Sequence, residues 1–430
     1  MTLDKSKLTA CRDEALHHLT AELLPFWFDR CRDNEGGGFL THFDREGNPT
    51  GETEKSLIAQ ARTVYTMASA HRAGYGDGKC GEFARHGVDF LLEKMWDDSA
   101  GGFFWMTDQA GQVTIDKKIV YGQSFAIYAL SEYTLATGDR RGVDYAQRTF
   151  DLLQKHAVDT FCGGYYEMFG RDWQLAGPGP EGGDRKTLDV HMHLMEAFTT
   201  LYECTGNPLH RRKLLEDISL ITDKILHPDC GTGVPQFSID WRVLAPIKFD
   251  VIWGWDRFPQ GEENPKPKPK TLDNTCYGHN VELAWLLAHA IDILGEPMDS
   301  WRSVLGKLYE HAVMNGIDHL HGGVFVEGPH EGGVYDTEKE FWQQAEALVG
   351  LLDASLIFGP EKFFPAYENV HRFVFDKVIN HDVGEWWPLL SRDGEPIWTH
   401  MSHAWKVNYH TVRAMVQSII RLEKLIELTD

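Results

Sequence analysis

A chain of 430 residues, 42% apolar and 12% aromatic, holds enough hydrophobic material for one large core or for two to three average domains. Its formal net charge of −22 argues against nucleic acid or an anionic membrane as partner, since both require basic surface, and favours a neutral ligand. No run approaches the roughly 18 apolar residues of a membrane span.

The N-terminal stretch MTLDKSKLTACRDEALHHL has no uninterrupted apolar core and no cleavage site, so no signal peptide is expected. The seven cysteines are scattered and form no CxxC pair, which predicts reduced thiols and a cytoplasmic protein.

Along the chain, a first amphipathic segment leads to Gly37-Gly38-Phe39, an alternating stretch with a turn (GGFLTHFDREGNPTGE), and a second helical segment (KSLIAQARTVYTMASAHRA). The same order recurs at Gly101-Gly102-Phe103, Gly163-Gly164-Tyr165 and Gly322-Gly323-Val324. Looser copies stand at Gly231-Thr232-Gly233-Val234 and Gly384-Glu385-Trp386. The copies are spaced by about 60 to 70 residues, widening to about 90 before Gly322. Apolar spacing at i, i+3, i+4 and i+7 around them gives about twelve helices in six pairs.

The predicted fold is all-α: an (α/α)6 barrel of six helical hairpins with short β-hairpins at one end, forming a single domain over 1–430. The open alternative is a solenoid of similar units. In the closed form, the second helices make a parallel inner ring whose N-termini face one end, beside the hairpins. The Pro-Lys alternation between Arg242 and Leu272 predicts extended backbone at that same end, either a wall or lid of a pocket or a surface insertion.

The starts of the predicted inner helices carry, in order, Arg62, then Tyr121 and Gln123, His191 and His193, His279 and Glu282, Trp342, Gln344 and Glu346, and Trp405, Tyr409 and His410. Parallel inner helices would bring these groups to one funnel. Histidine, with an ordinary pKa near 6.5, is suited to acid–base work at neutral pH. Two of them on opposite faces of a carbon could take a proton from one side and return one from the other, while Arg62 or a third histidine held an enediolate oxygen.

Glu282 lies three residues after His279, so a helix places both on one face. Trp342 and Trp405 suit either sugar stacking or core packing. No HExxH, cysteine set, Walker loop, GxSxG or GxGxxG is present, so no metal or cofactor is expected. Glycoside hydrolysis by an inverting pair drawn from Glu282, Glu346 and Glu385 stays open at this point.

The segments AQARTVYT (59–66), VYGQSFAIYAL (120–130), LDVHMHLMEAF (189–198 within it), YGHNVELAWLL (277–287), EKEFWQQAEALVG (338–350) and AWKVNYHTVRA (404–414) resemble the N-acylglucosamine 2-epimerase superfamily. They are most similar to its cellobiose 2-epimerase branch with mannose-acting relatives. The resemblance runs in order over nearly the whole chain. It implies an (α/α)6 barrel, no metal or redox cofactor, and chemistry at C2 of a ring-opened aldose.

It further implies His410 and His279 as the acid/base pair, with Glu282 supporting His279. His193 would assist ring opening or hold the enediolate, and Arg62 would bind substrate oxygens. Tyr121, Trp342, Trp405, Asp189 and Glu346 would line the sugar site, and His191 would stand outside catalysis. The branch usually has Asn at Asp189, Cys-Pro at Val407-Asn408 and Trp-Trp-Pro-Gln at Phe341-Trp342-Gln343-Gln344. These departures leave monosaccharide and disaccharide substrates equally open. The expected activity is a gluco/manno 2-epimerase on cellobiose, mannobiose or mannose/glucose, with a mannose-to-fructose type aldose–ketose isomerase as the alternative. The expected assembly is a monomer or homodimer.

Overall fold

The computed structural model describes residues 4–247 and 271–429. Within them, helices alternate between two kinds. The flanking kind comprises Lys5–His17 with its continuation Leu24–Arg30, then Lys79–Phe90, Arg140–His156, Pro208–Leu220, Arg302–His311 and Pro360–Phe373. The core kind comprises Leu57–Arg72, Val120–Thr137, Leu188–Thr205, Tyr277–Leu294, Phe341–Phe358 and Tyr409–Glu427.

Their sequences explain the division. Arg140–His156 buries a single stripe through Val143, Ala146, Phe150 and Leu153, the spacing of an amphipathic helix. Val120–Thr137 is apolar or small on every side and is buried continuously from Val120 to Tyr133. Caps set the ends: Ser56 and Thr187 side chains accept from Ala59 and Val190 N–H, and Gly138, Gly206 and Gly295 terminate core helices in left-handed backbone. No helix of the described residues is long and apolar enough to cross a membrane.

Each core helix packs against the next in chain order, and the sixth packs against the first. Short strands tie successive repeats together. Lys55–Ser56 pairs with Met106–Thr107, Lys118–Ile119 with Met168–Phe169, and Arg185–Thr187 with Gln236–Ser238. Thr275–Cys276 pairs with Glu327–Gly328, and Lys339–Glu340 with Leu389–Leu390. A bridge between Phe43 and Ser402 joins the first repeat to the last.

The recurrent Gly-Gly turn has a common physical cause. A side chain in the first turn or so of the following core helix grips the turn's backbone. The Gln60 amide accepts from Phe39 N–H at 2.8 Å and donates to Phe39 C=O at 2.9 Å. Gln123 does the same to Phe103, and Gln344 to Val324. In the third repeat His191 Nε2 accepts from Tyr165 N–H at 3.1 Å, and in the fourth Asn280 accepts from Gly233 N–H at 2.8 Å. The second glycine is left-handed at Gly38, Gly102, Gly164 and Gly323, and a Cβ there would lie 2.5 Å from Gln60 Oε1 or 2.7 Å from His191 Nε2. Gln123 and Gln344 therefore turn toward the hairpins, not toward the funnel in which their sequence positions had placed them.

A second repeated element is a buried Lys–Asp ion pair beneath four of the turns. Lys55–Asp33 and Lys186–Asp159 are 2.6 Å apart, Lys118–Asp97 3.2 Å and Lys339–Asp318 3.4 Å, with every lysine side chain fully buried. The stretch from Arg242 to Leu272, read as a pocket wall or an insertion, lies outside the described residues except at 242–247 and 271–272.

Removing one member of such a pair strands the other in low dielectric, at a cost of about 3–5 kcal/mol. Asp159→Ala should lower stability by that order in urea unfolding, because Lys186 would keep only the carbonyls of Gly163 and Ile239. A loss under about 1 kcal/mol would contradict a structural role for the pair.

Candidate active site

The first turns of the core helices meet beside the hairpins, and most of the expected site residues come together there. His279 Nε2 faces Asp189 Oδ1 at 3.3 Å, and both side chains are about a quarter exposed, 25% and 26%. The Trp342 indole lies 4.6 Å from the His279 ring and 5.8 Å from the His410 ring. On the other side, the Tyr121 ring packs 5.2 Å from His193 and 6.3 Å from Trp405. Arg62 donates from Nη2 to Tyr121 OH at 2.9 Å and from Nη1 to Trp405 C=O at 3.1 Å, while its buried Nε–H has no partner among the described residues. Phe125 and Tyr409 connect the two halves, 4.7 Å from His193 and 4.7 Å from His410 respectively, and 5.3 Å from each other.

Below this layer lies a charged network that sequence reasoning missed. Arg413, 1% exposed, donates from Nη1 to Glu196 at 2.6 Å and to the Tyr409 hydroxyl. From Nη2 it reaches Glu282 at 2.9 Å and Glu346 at 2.6 Å. Two of these carboxylates hold the imidazoles above. Glu346 Oε1 lies 2.6 Å from His410 Nδ1, and Glu196 Oε2 lies 2.9 Å from His193 Nδ1.

An ionised carboxylate only accepts, so in both histidines Nδ1 carries the proton and Nε2 keeps its lone pair. Burial, opposed by Glu346, pushes the His410 imidazole down to about 3, and burial likewise lowers His193. Both are neutral at physiological pH. Burial and the adjacent Glu346 charge raise Glu282 well above the carboxylate range. Against burial, Arg413 and His410 hold Glu346 down, and Arg413 and His193 hold Glu196 down. Two ionised carboxylates thus share one guanidinium.

This network changes the placement of two expected residues, Glu282 and Glu346. Glu282 points down to Arg413, and no hydrogen bond joins it to His279 despite their spacing of three. Glu346, 1% exposed, stands behind His410 and donors on Arg413 and Trp285 fill its oxygens, so it supports the site from below and does not line it. His191, fully buried, donates to Thr187 C=O and accepts from Tyr165 N–H, away from the funnel. Glu385, also fully buried, is bound by Trp27, Lys406 and Thr411. The carboxylates considered for glycoside hydrolysis are therefore engaged internally, and none of them flanks the funnel. The signals for the missed residues were present: His193-x-x-Glu196 and His410-x-x-Arg413 each place a charge one helical turn below a histidine, in otherwise apolar helices.

Two clusters have ligand atoms within 4.8 Å of one another, as a metal would require. In the first, Glu282, Glu346 and His410, the Arg413 guanidinium already supplies the cation and His410 Nδ1 carries a proton. In the second, His18, Glu22 and His381, His18 Nε2 accepts from the Trp386 indole N–H at 2.8 Å. Its proton therefore sits on Nδ1, the atom that would have to bind the ion. Neither donor set suits a metal.

Arg413→Met should raise the His410 pKa, because Glu346 loses the guanidinium charge and the imidazolium becomes its only cationic partner. Titration of the His410 ring nitrogens by 15N NMR measures this. An unchanged titration would remove Arg413 from control of His410.

A match to the family described as N-acylglucosamine 2-epimerase (GlcNAc 2-epimerase) spans residues 37–414. The chain is 28% identical over 422 residues to the cellobiose 2-epimerase of Bacteroides fragilis, covering 94% of this chain and 98% of that one. It is 25% identical over 398 residues to the D-mannose isomerase of Marinomonas mediterranea, covering 91% and 93%. The solved structure of cellobiose 2-epimerase from Spirochaeta thermophila superposes with a TM-score of 0.84 at 28% identity, covering 97% and 98%. The family match runs from the first Gly-Gly turn to the residue after Arg413, and so encloses every site residue above: the chain belongs to the N-acylglucosamine 2-epimerase family.

Proposed function

We propose that this chain is a sugar 2-epimerase that interconverts gluco- and manno-configured reducing sugars, with cellobiose, mannobiose and free mannose or glucose as the candidate substrates. The observation that carries the reading is the placement of His279 and His410 against the same indole, Trp342, with Arg62 across the funnel. We read the cyclic packing of the core helices as an (α/α)6 barrel, which makes this funnel its hairpin-side mouth.

The chemistry follows from protonation states. The sugar must first open: the neutral His193, its Nδ1–H fixed on Glu196, offers Nε2 to take the proton of the anomeric hydroxyl, the bond from C1 to the ring oxygen breaks as the C1 carbonyl forms, and the same proton passes from His193 to the ring oxygen. The resulting aldehyde acidifies the hydrogen at C2. His410 Nε2 removes that hydrogen as a proton, the C–H electron pair moves into a C1–C2 double bond, and the carbonyl electrons move onto oxygen. Arg62, held beside the funnel by Tyr121 OH and Trp405 C=O, supplies positive charge for the resulting enediolate. His279, packed against the same Trp342 indole, gives its own proton to C2 from the opposite face, and the enediolate electrons return to the carbonyl. The proton gained differs from the proton lost, so solvent hydrogen enters at C2. Each positioned proton transfer is worth roughly a hundred- to ten-thousand-fold in rate.

A second reading keeps the same groups and protonates C1 instead, giving a ketose. The similarity to a D-mannose isomerase favours keeping it. Incubation in D2O with mannose, glucose, cellobiose and mannobiose, followed by NMR, separates the two. Deuterium at C2 of the epimer is the expected result; a ketose product moves the chain to the isomerases, and no change in any sugar refutes both. His410→Ala should reduce C2 exchange by about a hundred- to ten-thousand-fold while the protein stays folded, and undiminished exchange would remove His410 from the role. His191→Ala should keep most of the exchange, since His191 bonds only Thr187 and Tyr165.

A further inference from the structure

At the opposite end of the core helices from the histidines lies a second cavity of about 320 Å³. That is near the lower bound of small-molecule sites, roughly 300–1,000 Å³. Its lining comes from the C-terminal halves of five core helices and includes Tyr65, Tyr128, Arg72, Glu132, Glu203 and His289. Tyr65 and Tyr128 stack with ring centroids 4.0 Å apart, and Tyr65 meets Tyr409 edge-on at 5.7 Å. These rings form a partition between the cavity and the network under the active site.

The polar groups of the cavity are incompletely used. Glu132 is 6% exposed, and among the described residues it accepts a hydrogen bond only from Arg72, a 3.3 Å contact to Oε2, with none to Oε1. Arg72 spends its other terminal nitrogen on Glu203 at 2.5 Å. His289, on the fourth core helix, is exposed and makes no hydrogen bond among the described residues.

The sign of the missing partner can be read from the charges. Two carboxylates face one guanidinium. The core helices present their C-terminal ends here, where unpaired carbonyls carry partial negative charge. The faces of two tyrosines add a surface that attracts cations. An anion would meet carboxylates and carbonyl ends, and a neutral polyol would leave the excess carboxylate charge uncompensated. We propose that this cavity is a binding site for a small organic ammonium ion, held by Glu132 and His289 against the Tyr65–Tyr128 pair, with Arg72 and Glu203 at its mouth.

Proton linkage supplies a signature. Burial pushes Glu132 up to about 7, and a bound cation requires its ionised form. The groups facing it are Arg72 from the first core helix, Glu203 from the third and His289 from the fourth. Desolvation lowers His289 from its ordinary value, in the direction of the neutral ring. Affinity should therefore rise by about tenfold between pH 6 and pH 8, as the ionised fraction of Glu132 rises.

The test is isothermal titration of the full chain with ethanolamine hydrochloride, charged at both pH values, with glucose and sodium phosphate as comparators. Expected are saturable ethanolammonium binding that tightens about tenfold from pH 6 to pH 8, and its loss in Glu132→Gln with sugar turnover unchanged. His289→Phe, which fills the cavity, should also abolish binding and keeps the test decisive if Glu132→Gln does not fold. The proposal is overturned by absence of saturable binding, by binding that survives either folded variant, by a flat pH dependence, or by glucose or phosphate giving the Glu132-dependent heat instead. None of these readouts depends on which sugar reaction the opposite mouth performs.

Discussion

Arg413 is the constraint on which the site depends. A buried ionic cluster is a poor source of net stability, because desolvation of the charges cancels most of their attraction. Its effect is geometric. One planar guanidinium reaches Glu196 on the third core helix, Glu282 on the fourth and Glu346 on the fifth, from its own position on the sixth. Two of those carboxylates then fix the tautomer and the ring plane of His193 and His410. Lysine could not substitute for this, since a single ammonium lacks the forked set of donors that spans carboxylates from three helices.

A site drawn from six helices also requires the helices to begin at matched heights, and the repeated turn provides this. In each of the first five repeats a Gln, His or Asn near the start of a core helix binds the backbone of the Gly-Gly-aromatic turn, or of its looser fourth copy. That fixes the axial position of the helix relative to the hairpin before it. The strand leading into each of the first five core helices pairs with the hairpin of the following repeat, which passes the setting along the chain. The buried Lys–Asp pair below the turn recurs in four repeats, and its high cost when broken makes the local geometry hard to vary. The same solution used repeatedly is why function can vary at the helix tips while the frame stays fixed.

This frame was legible in the sequence because its causes are local. Left-handed turns demand glycine, turn chemistry and helical spacing recur at a fixed interval, and each repeat announces itself. Which first-turn side chain faces the funnel was not legible. Neighbouring helix positions point about 100° apart, so Tyr121 and Gln123, or His191 and His193, are separated only by the rotation of the helix, which the packing of its neighbours decides. The His279–Glu282 spacing correctly put both on one face, but one turn of depth separates the open mouth from the interior. At the deeper level the Arg413 guanidinium, donating at 2.9 Å, takes Glu282 away from His279. Arg413 itself was hidden because an arginine in an apolar helix reads as a breach of the pattern until its three acidic partners, distant in sequence, are assembled around it.

The depressed basicity of His410 raises a physical question, since a C2 proton is hard to remove and an imidazole with a pKa near 3 is a weak base. The resolution lies in what sets that value. Desolvation is the largest cause, and it penalises an isolated imidazolium. In the proposed proton transfer the imidazolium would not form alone: an enediolate oxygen would gain negative charge as the ring gained positive charge. The attraction between them is strong in the same dry environment that made the lone cation costly. Glu346 behind the ring and Arg62 across the funnel stabilise the two halves of that transient pair from fixed positions, with little reorganisation. A histidine kept neutral at rest thus always presents Nε2 unprotonated, and its basicity rises when a substrate able to carry the opposite charge is in place.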